Sequence, residues 1–319
     1  MLGALPPPPF DPGFLRLATD LRRAGIEPSR GEGWHHVRHG VWVDATVWVG
    51  LDPTQRHAAF VHATSLQRRL DAPLIAAGTS AAALWGLPRI EAWPSHVRHL
   101  VTGRRVRGSA IMRPMVGLET DPQEVHGVLV TPVARTVIDL ARSGSLVTAV
   151  AAADHALRHE LCSPSELIAE VAAIPRRAAG RTSAALTRDL ADPLSMSAGE
   201  SLSRVQMFHL NLPKPILQRE LHDGEGLIGL GDFWWEGVVG EFDGKVKYRI
   251  PAGATAEEAS RILWAEKRRE DRIRTRARMA RWVWFDALRP DRLLQKLAHV
   301  GIRPVARPGW FDLGSSNAS

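Results

Sequence analysis

Between residues 197 and 299 the hydrophobic spacing changes in a fixed order, and that order restricts the chain more than any other feature. Glu200 to His209 repeats with helical spacing after Ser197-Ala198-Gly199. Ile216 to Leu221 reads as a strand, His222-Asp223-Gly224-Glu225-Gly226 as a turn, and Gly231 to Trp235 and Val238 to Val246 as two further strands. Residues 255–279 make a long basic helix, Arg281 to Phe285 a buried strand, and Pro290 to His299 a last helix. Helix, three strands, helix, strand, helix predicts an α/β domain with a mixed central sheet flanked by helices.

The preceding residues read as an α+β region. Phe14 to Gly25 has helical spacing, and the segment WHHVRHGVWVD alternates about a bend at Gly40. A helix followed by a hairpin is the outline of a winged helix-turn-helix over residues 1–52; a small α+β cap has the same outline. Residues 53–192 form a middle region. Pro53 to Leu70 and Ser80 to Trp85 are helical, the second stopped by Gly86-Leu87-Pro88. Two β-like runs flank a basic turn, Gly103 to Gly108, and a helix start is expected at Thr131-Pro132. Val150 to Arg158 and Ser163 to Ala172 complete the helices, with Glu166 at the capping-box position. His155 and His159 share a helical face, a candidate metal pair without a third ligand nearby. Pro175–Pro193 links into the final domain, 193–319.

Composition narrows the class. A chain of 319 residues with 45% hydrophobic and 24% charged residues can bury about two cores. The single cysteine, Cys162, excludes an internal disulfide framework and a multi-cysteine zinc site. No uninterrupted apolar run is long enough to span a bilayer, and four prolines interrupt an N-terminus that lacks a basic leader, so a cytoplasmic protein with no membrane partner is expected. The net charge is +7, and residues 261–281 hold nine basic and three acidic side chains. A positive field so focused favours a polyanion such as DNA.

The chemistry concentrates in Gly231–Lys245. Strand alternation puts Glu241, Asp243 and Lys245 on one face and Gly240, Phe242 and Gly244 on the other. Charges on a sheet rich in Val and Phe are costly unless solvated or occupied. A hairpin about Glu236-Gly237 brings Asp232 beside Glu241 or Asp243. Such hard oxygen ligands suit Mg²⁺, with Mn²⁺ as a substitute, in phosphodiester hydrolysis. Only five lysines occur in the chain, and two of them, Lys245 and Lys247, lie here.

Asp232 followed by Glu241-Phe242-Asp243-Gly244-Lys245 resembles the PD-(D/E)XK nuclease signature, and more narrowly the branch related to very-short-patch-repair endonucleases. Gly199-Glu200-Ser201, the run Glu266–Arg272 and Trp282-Val283-Trp284 match the flanking elements of that branch in order. The resemblance implies a restriction-endonuclease-like fold and Asp232 as principal metal ligand. It further implies Glu241 or Asp243 as second ligand, Lys245 as the water-orienting base and Glu200 assisting. Lys247, Lys267, Arg268, Arg269, Arg272 and Arg276 would then meet DNA phosphates. Residues 13–190 resemble AbiEi-like antitoxin and regulator proteins, through Arg38-His39-Gly40-Val41-Trp42-Val43 and the stretch Thr131 to Leu140. That likeness implies a cognate toxin or regulatory partner. Two functions follow: a metal-dependent DNA endonuclease acting in repair or in defence against phage and mobile elements, or a non-catalytic DNA-binding regulator or antitoxin. The sequence carries no signal for an oligomeric state.

Overall fold

The computed structural model describes residues 8–29, 33–67, 74–101, 108–116, 121–244 and 254–311. Contacts divide the chain into two compact units, Met1–Ala191 and Asp192–Ser319.

The first unit opens with a 3₁₀ turn at Pro12–Phe14, β1 (Arg16–Leu17), α1 (Ala18–Arg23), β2 (Trp34–Arg38), β3 (Val41–Asp44), α2 (Ala45–Gly50) and α3 (Pro53–Gln67). The hairpin at Gly40 forms, with φ +68° at that glycine, and β1 adds to it in the order β1-β3-β2. The expected helix over Phe14–Gly25 is shorter than its spacing suggests. Leu15 is buried and Arg16 exposed, a strand alternation, and Arg16 and Leu17 pair with Trp42 and Val41. Among the described residues a single helix, α1, precedes the hairpin, so the helix pair of a winged helix-turn-helix is not formed there.

A second sheet follows, built from β4 (Ile75–Ala76), β5 (Val97–Val101), β6 (Met112–Val116), β7 (Gln123–Val125) and β8 (Val128–Val130) in the order β6-β5-β4-β8-β7. α4 (Thr79–Leu84), α5 (Val133–Ser143), α6 (Leu146–Arg158), α7 (Pro164–Ala173) and α8 (Arg181–Leu190) complete this unit. Val130, Val137, Ile138, Ala152 and Leu167 belong to its continuous apolar core. The α7 capping box is formed as expected, Ser163 and Glu166 each satisfying the other's backbone N–H. The start of α5 is displaced by one residue. Thr131 Oγ1 instead lies 2.8 Å from Thr136 Oγ1, and the Thr131 carbonyl accepts from Trp85 Nε1 at 2.9 Å. Most of the basic turn 103–108 falls outside the described residues.

The second unit runs α9 (Ala198–His209), β9 (Ile216–Asp223), β10 (Gly226–Trp235), β11 (Val238–Phe242), α10 (Ala256–Arg274), β12 (Arg278–Trp282), α11 (Trp284–Ala287) and α12 (Pro290–His299). Its sheet has the order β12-β11-β10-β9; β9, β10 and β11 are antiparallel neighbours and β12 is parallel to β11. A parallel return needs a crossover, and α10 supplies it. Several boundaries differ from the sequence reading: β9 runs on to Asp223 and β10 starts at Gly226, within the expected turn, and α10 ends at Arg274 rather than at 279. β11 ends at Phe242, after which Asp243 N–H donates to the Trp282 carbonyl at 2.8 Å. The last strand is Arg278–Trp282, because Val283 caps a short helix through the Asp286 carboxylate.

Two glycines fix how α9 meets the sheet. A Cβ on Gly199 would lie 2.0 Å from Phe242 Cε1, and one on Gly240 would lie 2.7 Å from the Trp282 ring. Trp282 Nε1 donates to Ser203 Oγ of α9 at 2.8 Å, and Phe233 packs on Trp282 with ring centroids 5.3 Å apart. The helix therefore rests directly on the aromatic face of β11 and β12.

Candidate functional site

The β9–β10–β11–β12 sheet carries a polar row across its width. Gln218 on β9 falls opposite Asp232 by the registers on either side, Leu217↔Phe233 and Arg219↔Gly231. Asp232 in turn falls opposite Glu241, one step beyond Phe233↔Gly240, and Glu241 pairs with Arg281. Residues opposite one another share a face. Of the two candidate second ligands, Glu241 stands beside Asp232, and Asp243 lies half-buried beyond the strand end.

Glu200 approaches the same row from the first turn of α9, which Ser197 caps by accepting from Glu200 N–H at 3.2 Å. Its Oε2 accepts from Met196 N–H at 2.9 Å and from Gln218 Nε2 at 3.0 Å. Gln218 hydrogen-bonds Asp232 as well, so one amide bridges two carboxylates. Gln218 has φ +49°, a left-handed conformation that a β-strand residue adopts at a cost. The sequence reading missed this residue, since nothing in an alternating strand marks a glutamine as special.

Asp232 is the electrostatic centre. Burial first, then the Glu200 and Glu241 charges, push its carboxyl up to about 7, while the Phe242 N–H and Gln218 pull the other way. Glu241 is itself buried and occupied: Arg269 Nη2 lies 2.6 Å from its Oε1, and Arg281 Nη2 lies 3.2 Å from its Oε2. Arg281 also binds Glu266 at 2.6 Å and Glu270 at 2.9 Å.

The nuclease resemblance implies Mg²⁺ at these residues. Asp232 and Glu241 are adjacent, but both Glu241 oxygens are held by guanidinium groups. Among the described residues no three acidic, histidine or cysteine side chains are placed to hold a metal ion. As arranged, Glu241 is neutralised by arginines, and a divalent ion bound to it would have to displace them. Lys245 and Lys247 lie outside the described residues. In the first unit, the His155 and His159 ring centroids are 4.3 Å apart, and no third ligand joins them among the described residues. Burial, then the His159 and Arg158 charges, pushes His155 down to about 4.

The six expected phosphate contacts separate into groups. Arg269 is engaged by Glu241 and donates to the Leu230 carbonyl at 2.7 Å. Arg272 makes a two-pronged pair with Asp223, at 2.7 and 2.6 Å. Neither is a spare cation. Lys267, Arg268 and Arg276 are exposed. Arg276 lines a basic depression of about 550 Å³ with Gly237, Arg274, Arg278 and His299, beside the β10–β11 turn.

Comparison with known proteins adds the family. Residues 74–188 match the AbiEi antitoxin C-terminal domain, a span running from just before β4 into α8. The chain is similar to Uncharacterized protein MT2308 of Mycobacterium tuberculosis (strain CDC 1551 / Oshkosh) and Uncharacterized protein Rv2248 of Mycobacterium tuberculosis (strain ATCC 25618 / H37Rv). Each is 32% identical over 198 residues, covering 59% of this chain and 69% of the relative. No solved structure matches the chain. With an AbiEi-type domain inside its first unit and more than two thirds of each mycobacterial relative covered, the chain belongs to the family of MT2308 and Rv2248.

Proposed function

We propose that the protein is a DNA-binding regulator of the AbiEi antitoxin kind, whose second unit adds a cationic surface for DNA. The observation that carries this reading is the AbiEi antitoxin C-terminal domain match over residues 74–188. The exposed cations of α10 and the basic depression beside the β10–β11 turn support it. Such a surface binds phosphates without reading bases, so its affinity falls as salt rises. The AbiEi likeness also suggests a cognate toxin as protein partner. Fluorescence anisotropy on labelled duplex and single-stranded DNA, with salt raised from about 50 to 200 mM, tests the DNA reading. Affinity should fall steeply; absence of salt-sensitive binding refutes it.

A second reading, a Mg²⁺- or Mn²⁺-dependent endonuclease, is favoured by one observation: Asp232, lifted to about 7, faces a second buried carboxylate. In that reading Asp232 and Glu241 would hold the ion, with Glu200 supporting from α9. Incubating supercoiled plasmid with protein and either metal separates the two readings. Nicking that Asp232→Ala abolishes establishes the enzyme; intact plasmid alongside salt-sensitive duplex binding leaves the regulator.

A further inference from the structure

The acidic and basic residues of α10 point in different directions. Glu266 and Glu270 turn toward the sheet, where Arg281 binds both, at 2.6 and 2.9 Å. Arg261, Lys267 and Arg268 stay exposed. Between Arg261 and Arg268 the outward face of the helix is therefore cationic, with the acidic Glu257, Glu258 and Asp271 confined to its two ends.

Two large apolar side chains sit within that cationic face. Trp264 is 59% exposed and Leu263 53% exposed. Neither is needed to hold the helix, whose one buried residue is Ile273 and whose start is fixed by the Thr255–Glu258 capping box. Arg261, Trp264 and Arg268 fall at positions i, i+3 and i+7, along one stripe. Lys267 Nζ stands over one face of the Trp264 ring, 5.2 Å from its centroid, so a base would stack on the other face with a cation across the ring.

We propose that this stripe of α10 binds unpaired DNA, with Trp264 stacking on a base and Arg261, Lys267 and Arg268 holding the adjoining phosphates. The inference rests on the DNA-binding reading and specifies the form of DNA. An exposed indole gains by stacking only where a base face is free. In a duplex both faces are covered, and opening a step costs more than one stack returns. The stripe from Arg261 to Arg268 rises about 10 Å, enough for a short run of nucleotides and too little to grip a duplex firmly.

The test compares a labelled oligothymidylate with a duplex of equal length, by anisotropy on the full chain. The wild-type protein should prefer the single strand. Trp264→Ala should weaken single-strand binding about 5- to 150-fold and leave duplex binding and the salt slope unchanged. Trp264→Phe should restore most of the loss. Replacing Arg261, Lys267 and Arg268 together by alanine should flatten the single-strand salt slope by about two. Because Trp264 is exposed, circular dichroism should show all variants folded. Equal affinity for both DNA forms overturns the proposal, as does a Trp264→Ala variant that binds single strands like wild type. A protein binding neither form overturns the DNA-binding reading along with it.

Discussion

The backbone N–H of Phe242 donates to Asp232 Oδ2 at 2.9 Å, tying the carboxyl of β10 to the end of β11. This donor favours the ionised form, yet burial and the charges of Glu200 and Glu241 outweigh it and hold the group near 7. The folded-state value lies above the ordinary aspartate value of about 3.9. Native protein therefore keeps a proton that the unfolded chain has released. Asp232 stabilises fully below about pH 4, and that contribution is lost as pH rises through about 7. Asp232→Asn keeps an acceptor for Phe242 and cannot ionise. It should be more stable than wild type at pH 8, by on the order of 2–4 kcal/mol, with the gap closing by pH 4. Urea unfolding of both proteins across that range measures it. Equal stability at pH 8 would show that the carboxylate is comfortable there.

The first unit should respond in the opposite sense. Burial pushes His57 and His62 on α3, and His155 on α6, each down to about 4. These rings stay neutral in the native state, while the unfolded chain takes up protons near 6.5. Their contribution is present above about pH 6.5 and drains away as pH falls toward 4. Hydrogen exchange resolved by unit should show faster opening of the first unit at pH 5 than at pH 7. The Asp232 strand should be better protected at pH 5. Parallel trends in both units would contradict these assignments.

Gly199 and Phe242 give a packing test. An alanine methyl at 199 would meet the phenyl ring at 2.0 Å, inside any allowed contact. Gly199→Ala gains about 1 kcal/mol of helix propensity, and overpacking should cost more, leaving a net loss of about 1–3 kcal/mol. Phe242→Leu alone should also destabilise. The double variant should recover part of the combined loss, because the ring is what the methyl strikes. Additive losses in a double-mutant cycle would mean that the clash lies elsewhere.

What the sequence made legible follows from which interactions are local. The order of α9, the three antiparallel strands, α10, β12 and α12 could be read because each carries its own spacing, and α12 matches its expected limits of Pro290 and His299, whereas α11 falls where a strand end was expected. Strand ends were harder. Val238–Val246 looks continuous, but β11 stops at Phe242, where Asp243 N–H turns to the Trp282 carbonyl, a partner far along the chain. The acidic pair was visible through strand alternation; its occupancy was not. Arg269 and Arg281 belong to a basic run that reads as meeting a polyanion until the fold brings Glu241, Glu266 and Glu270 to it. Gln218 left no trace, since its role depends on a backbone conformation and on α9 together.

The arginines at Glu241 make a last prediction that bears on metal binding. Arg281 is the shared partner of Glu241, Glu266 and Glu270, at 3.2, 2.6 and 2.9 Å. Replacing it with methionine keeps most of the apolar stem but leaves Arg269 and Arg274 to serve three carboxylates. Breaking such a partly buried network by removing one partner should cost about 3–5 kcal/mol at neutral pH. A divalent cation could then occupy the position the guanidinium leaves. Mg²⁺ or Mn²⁺ should raise the Tm of Arg281→Met more than that of the wild type, as read by calorimetry against chelator-treated samples. If neither ion distinguishes the two proteins, the carboxylates at the end of this sheet are built for arginine, and the nuclease reading loses its chemical basis.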